Sequence, residues 1–167
     1  MSDTTFVGID PGLDGGVVAL CPDGSMHLDI TPTVNFAGSK REYDEILMCA
    51  ILGCLPKGCG ILVALEKQQA MRTEGRMQGT TSSFRTGVGW GLWRGIIAAL
   101  KLPRIDVHPR TWQAALCKGL TGDPKERAWR VAAARFPGVD FRATPRCGKA
   151  HSGLIDACCL ALYAQMT

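Results

Sequence analysis

The segment FVGIDPGLDGGVVAL, Phe6 to Leu20, breaks off an apolar run at Asp10, turns at once through Pro11 and Gly12, and starts a second apolar run at Gly16. A carboxylate at the end of a buried strand is costly to desolvate, so Asp10 needs a reason to be there. The two runs read as neighbouring strands, and a third, Met26 to Ile30, follows the turn Pro22-Asp23-Gly24. Three short strands joined by turns make an antiparallel meander.

Downstream the pattern changes period. Glu42 to Leu55 reads as a helix ended by Pro56 and Gly58, and GILVALE, Gly60 to Glu66, is the near-continuous apolar run of a strand buried on both faces. Lys67 to Ser83 is polar, with two glycines and three basic residues, and reads as a mobile loop. Phe84 to Leu100 reads as a helix despite its glycines, and Arg104 to His108 as a fifth strand. Helices then follow over Arg110 to Lys118, over Lys125 to Phe136 after Asp123-Pro124, and over Ser152 to Gln165. Strands that give way to alternating helices and strands predict an α/β fold: a mixed five-stranded sheet, its first three strands antiparallel, flanked by helices. With 167 residues, one domain over 1–167 is the simplest organisation.

In such sheets the ends of neighbouring strands form one crevice where chemistry collects. Asp10 ends the first strand and Glu66 the fourth. A third carboxylate, Asp156 in HSGLIDACCLALYA, is expected in the first turn of an otherwise apolar helix, where the helix dipole tolerates it. Acidic residues are common in first turns, and strands often end on a charge, so each acid alone has an ordinary explanation. Together they would repel unless a cation lay between them. Hard oxygen donors with open positions suit Mg²⁺, or Mn²⁺ as substitute. Two such ions about 4 Å apart activate a water and stabilise the departing oxygen in a phosphodiester displacement.

The net charge of +4 is unevenly spread. Lys101 to Ala150 carries eleven Lys and Arg against four Asp and Glu, an excess of seven, leaving −3 for the rest. That suits a polyanionic partner, and equally a solvated helical face. The eight cysteines show no CxxC, and Cys49, Cys54 and Cys59 recur at a spacing that zinc does not use. The first residues lack signal-peptide character, and no window approaches a membrane span. The expectation is a cytoplasmic protein, of a bacterial or phage-infected cell, without a membrane partner.

GIDPG, ALEKQQ and HSGLIDACCLALYA look like the three acidic motifs of RuvC-type Holliday junction resolvases, of the ribonuclease H-like superfamily. TPTV (Thr31 to Val34), Tyr43-Asp44, FRTGVGWGLWRGIIAAL (Phe84 to Leu100) and HPRTWQ (His108 to Gln113) resemble the chloroplast MOC-one branch and its bacterial and phage relatives. The resemblance runs over nearly the whole chain in the same order. It implies that Asp10, Glu66 and Asp156 are catalytic and metal-binding, and that a homodimer makes paired nicks in four-way DNA junctions, leaving 5′-phosphate ends. The family's fourth position, a His or Asp shortly before the last acid, falls to His151. Many relatives carry an acid where this chain has Ser152, which departs from the pattern; a His preceding a Ser helix cap is the plain alternative.

Lys67, Arg72 and Arg76 follow Glu66 closely, and Lys118, Lys125, Arg127 and Arg130 lie in the basic half, so all are candidate phosphate contacts. Phe84 and Arg85 stand where related resolvases use an aromatic to pry at the junction; an aromatic entering a core helix is the ordinary reading. Gly87, Gly91 and Gly95 form a stripe without side chains, against the protein's own sheet or against a dimer mate. Two rival functions remain: a broader nuclease of flaps and forks, and a junction-binding protein without catalysis.

Overall fold

The computed structural model of the chain describes residues 3–35, 40–56, 58–68, 72–73, 76–77 and 80–167, the side chains of 72–73, 76–77 and 80–83 excepted. Strands β1 (Thr4–Asp10), β2 (Gly16–Leu20) and β3 (Met26–Ile30) form the antiparallel meander. Two-residue strands β4 (Thr33–Val34) and β5 (Glu42–Tyr43) pair as a separate ribbon ahead of helix α1 (Glu45–Gly53). Strand β6 (Gly60–Glu66) lies parallel to β1. A second ribbon, β7 (Arg72–Thr73) with β8 (Arg76–Met77), precedes α2 (Thr80–Ala99), and β9 (Arg104–Val107) joins β6 in parallel. Helices α3 (Pro109–Leu116), α4 (Pro124–Arg135) and α5 (Ser152–Met166) complete the chain. The five-stranded order is β3-β2-β1-β6-β9, the mixed sheet the sequence predicts.

Each face of the sheet carries its own apolar layer, because side chains alternate along a strand. Val7 and Ile9 of β1, with Val63 and Leu65 of β6, pack against Met48 and Leu52 of α1 and Trp93 and Ile97 of α2. The other face, with Val18 and Ala64, meets Trp112 of α3, Ala128 and Ala132 of α4, and nearly the whole of α5. Ten of α5's residues are buried, so it is a core helix with no solvent stripe.

Two helices start away from where the sequence reading puts them, each for a local reason, and Asp156 changes its place within a third. The first helix begins at Glu45 because the Asp44 carboxylate accepts a hydrogen bond from the Leu47 amide at 3.0 Å and caps it. Glu42 and Tyr43 are thereby left to pair with Val34 and Thr33. The segment read as a loop to Ser83 is helical from Thr80, since the chain offers no proline there and tolerates Gly87 inside the helix. The last helix begins at Ser152, with His151 in the cap position, so Asp156 is its fifth residue and lies beyond the first turn. The dipole of the first turn does not account for its charge.

Helix α5 rests on β1 and on the β1–β2 turn with almost nothing between the backbones. A Cβ at Gly8 would overlap the Ala157 carbonyl oxygen, and one at Gly153 would overlap Asp14 and Gly15 of the turn. Gly87, Gly91 and Gly95 of α2 are the opposite case, since a Cβ at any of them meets nothing within 4 Å among the described residues. Packing against the chain's own sheet is thus excluded as their explanation. Gly8→Ala and Gly153→Ala should each lower stability by about 1–3 kcal/mol or more, the usual cost of overpacking. Gly87→Ala should raise it by up to about 1 kcal/mol through helix propensity. Urea denaturation of the three variants checks this, and a Gly8→Ala protein as stable as wild type would refute the close-contact account.

Candidate active site

Parallel pairing of β1 with β6 sets Ile9 opposite Leu65, so Asp10 and Glu66 leave the sheet side by side at the same end. Helix α5 crosses that end and brings in Asp156. The convergence is visible in their acidities. Asp10 is pushed up to about 8, first by burial and then by the charges of Glu66 and Asp156, against the opposing pull of the Gly12 amide. Glu66 is pushed up to about 7, by burial and by Asp156, with the Trp112 hydrogen bond opposing. Asp156 is pushed up to about 6 by burial, with Lys125 opposing. Three half-buried carboxyls that resist ionising beside one another form a site that calls for positive charge.

Neighbouring residues hold these groups in place. The Gly12 amide hydrogen-bonds Asp10 Oδ1 at 3.4 Å. Tyr43, buried, donates its hydroxyl to the Pro11 carbonyl at 3.2 Å and fits over Gly89, where a Cβ would strike its ring. It braces the turn after Asp10 against α2. Trp112 donates its indole N–H to Glu66 Oε1 at 3.0 Å, and the Gln68 amide reaches Oε2 at 3.5 Å. Sequence reasoning did not assign Trp112 a role. Its signal was present in HPRTWQ: a helix opening at Pro109, directly after a strand that pairs with β6, must place its first turn beside the end of β6.

His151 occupies the N-cap of α5 without making a side-chain cap bond, and its Nδ1 is buried with no hydrogen-bond partner. Its backbone amide donates to the Phe141 carbonyl at 2.7 Å. The charges of Glu66, Asp156 and Asp14 raise the pKa of Asp10, that of Asp156 raises Glu66, and Lys125 lowers Asp156. Ser152, expected as a helix cap, is the first helical residue instead. Three carboxylates and an unpartnered imidazole nitrogen suit a hard divalent cation in donor type. Among the described residues no three such side chains are drawn together into a preformed metal-binding group.

The candidate DNA contacts fall into different settings. Phe84 lies on α2 with 72% of its surface exposed, so it does not enter the core; Arg85 next to it is half-buried. Lys67 is half-buried, and its amide bonds the Val107 carbonyl at 2.8 Å. Arg72 and Arg76 stand on the β7–β8 ribbon, and their side chains lie outside the described residues. Lys118 and Lys125 are exposed. Arg127 lines a cavity of about 350 Å³ with Arg110 and Lys118, its Nε buried and unpartnered. Arg130 is engaged with Glu126 and with the Thr121 carbonyl. Arg127 and Arg130, three residues apart on α4, therefore differ in availability.

The sheet order and its flanking helices have counterparts among solved structures. Thermus thermophilus RuvC superposes with a TM-score of 0.55 at 19% identity, covering 97% of this chain and 96% of that one. T. thermophilus RuvC in complex with a Holliday junction substrate superposes with a TM-score of 0.56 at 16% identity, with the same coverage. The chain has a RuvC-like fold. No protein-family profile matches the sequence, and no curated protein matches it.

The raised pKa values make stability depend on pH. Each of the three carboxyls holds its proton more tightly in the folded chain than in the unfolded one, where the ordinary value is about 4. Their contribution to stability is therefore full below about pH 4 and is lost as pH rises through 6 to 8. In excess chelator, Asp10→Asn should melt several degrees above wild type at pH 8, given roughly 2–4 °C per kcal/mol for a domain of this size. At pH 4 the gap should close. Equal melting at pH 8 would show that Asp10 is not a destabilised carboxylate.

Proposed function

We propose that the protein is a structure-selective DNA endonuclease that resolves Holliday junctions by paired, metal-dependent nicks. The observation that carries this reading is the meeting of Asp10, Glu66 and Asp156, from two parallel strands and a core helix, at one end of a RuvC-like sheet. A solved neighbour of the same fold is in complex with a Holliday junction substrate. The motifs TPTV, Tyr43-Asp44 and HPRTWQ favour the chloroplast MOC-one branch within that class.

Asp10, Glu66 and Asp156, with His151 as the fourth group, would hold Mg²⁺ or Mn²⁺, two ions in the proposed site. Bound there, the ions supply the charge that activates water and stabilises the leaving oxygen of a phosphodiester. The chain's own part is to orient. Trp112 fixes Glu66 Oε1, the Gly12 amide fixes Asp10, and the tight seat of α5 on β1 sets the reach of Asp156. Lys118, Lys125, Arg127 and Lys67 hold backbone phosphates without reading sequence, with Arg72, Arg76, Arg85 and Arg130 as further contacts, and exposed Phe84 enters the branch.

The test is cleavage of mobile and fixed four-way junctions beside flaps, forks and linear duplex, with Mg²⁺ present or chelated. Junctions should be nicked symmetrically in Mg²⁺ and left intact in chelator. Asp10→Asn, Glu66→Gln and Asp156→Asn should each abolish nicking while binding persists. His151→Ala should slow it severely and Ser152→Ala should not. Equal cutting of flaps and forks would establish the broader nuclease, and junction binding without cleavage in any metal the non-catalytic reading.

The proposal includes a homodimer formed through α2. Its glycine stripe meets nothing among the described residues, yet glycine costs the helix about 1 kcal/mol at each position; a second backbone approaching closely accounts for it. Gly91→Leu should therefore fold at least as stably as wild type but sediment as a monomer and nick the two strands independently. A Gly91→Leu dimer with coordinated nicking would place the interface elsewhere.

A further inference from the structure

On the sheet face opposite α1 and α2, a cavity of about 540 Å³ opens between α4 and the start of α5. Trp129 forms part of it, an indole with 40% of its surface exposed, one helical turn after Lys125 on the same side of α4. The ring meets Phe141 edge-on, with centroids 6.2 Å apart at 89°. Phe141 is only 1% exposed, so a core residue sets the angle of the exposed ring. Arg142 and Lys149 add positive charge, and Asp140, gripped by Arg142 at 2.7 Å, adds one negative. Three cations against one carboxylate leave an excess of two positive charges around one indole.

The position of the cavity relative to the acids gives this arrangement meaning. Ser152, which opens the helix bearing Asp156, lines it, and Lys125 lies near enough to Asp156 to oppose its burial. An apolar rim would suit a protein partner. A single fixed indole between lysines suits a flat ring joined to anionic groups, the combination by which single-stranded nucleic acid is held. Phe84 cannot serve the same strand position, because α2 packs on the other face of the sheet.

We propose that this cavity is a nucleotide subsite, in which Trp129 stacks on an unpaired base beside the cleaved phosphate while Lys125 and Lys149 hold the phosphates flanking it. The proposal rests on the nuclease reading above and specifies how the strand is held. It concerns neither the acids nor the bound metal.

Fluorescence anisotropy with labelled four-way junctions in Ca²⁺ tests it, using single abasic sites walked through the nucleotides around the branch. At one position the wild type should lose about 5- to 150-fold in affinity, the range that one stacked base is worth. Trp129→Ala should lose a similar factor on the intact junction and nothing more from that abasic site, and Trp129→Phe should keep part of the affinity. The abasic walk on wild type needs no folded variant. Wild-type affinity indifferent to every abasic site, or the same abasic penalty persisting in Trp129→Ala, overturns the subsite and leaves the nuclease reading standing. A wild type that binds four-way junctions no better than linear duplex overturns the nuclease reading, and the subsite with it.

Discussion

The close seating of α5 on β1 governs the rest of the molecule. Backbone meets backbone at Gly8 and again at Gly153, where any side chain would overlap a carbonyl oxygen of the facing element. Packing of this kind leaves no freedom for the helix to slide or lift, because interiors are dense and respond poorly to added volume. Asp156 stands one residue before Ala157, whose carbonyl lies over Gly8, and Asp10 stands two residues after Gly8. The placing of those carboxylates is thus tied to a helix–strand contact with no room for a side chain. Glu66 is fixed to the same frame by the strand pairing of Ile9 with Leu65.

That frame works against the ionisation of the groups it places. Burial is the first cause of the raised pKa at all three acids, and repulsion from neighbouring carboxylates adds to it at Asp10 and Glu66. A fold selected only for stability would carry amides or apolar residues there. The cost is reduced when a cation is shared, so in the proposed nuclease metal binding and folding stability are linked through the same three side chains.

The sheet was legible because its signals are local. Apolar runs that end on charges at Asp10 and Glu66, and turns carrying proline and glycine, placed all five strands and their order of appearance. The α5 core was legible for the same reason, as an apolar sequence in nearly every position. What escaped depended on groups distant in sequence. The start of α1 was misplaced because Glu42 and Tyr43 find partners in Val34 and Thr33, a pairing no window of sequence displays. The four-residue spacing marked Gly87, Gly91 and Gly95 as one stripe but not which way it faces; the described structure turns it away from the sheet, while Gly89 packs against Tyr43. Arg127 and Arg130 were equivalent by spacing and differ because Glu126 is within reach of only one of them.

The partner chosen for Glu66 follows from the same electrostatics. Its oxygens are met by an indole N–H and a side-chain amide, both neutral. A lysine or arginine in place of Trp112 would orient the carboxylate equally well and would cancel its charge, since a charge-assisted pair is the stronger hydrogen bond. Neutral donors orient without cancelling. They leave the negative charge of Glu66 available to whatever cation enters the site, and Trp112, 1% exposed, also excludes water from that side of the carboxylate. A buried tryptophan at the head of α3 thus meets two needs at once: its ring fills the layer beneath α5, and its one polar atom aims an acid that the sheet alone would leave free to rotate.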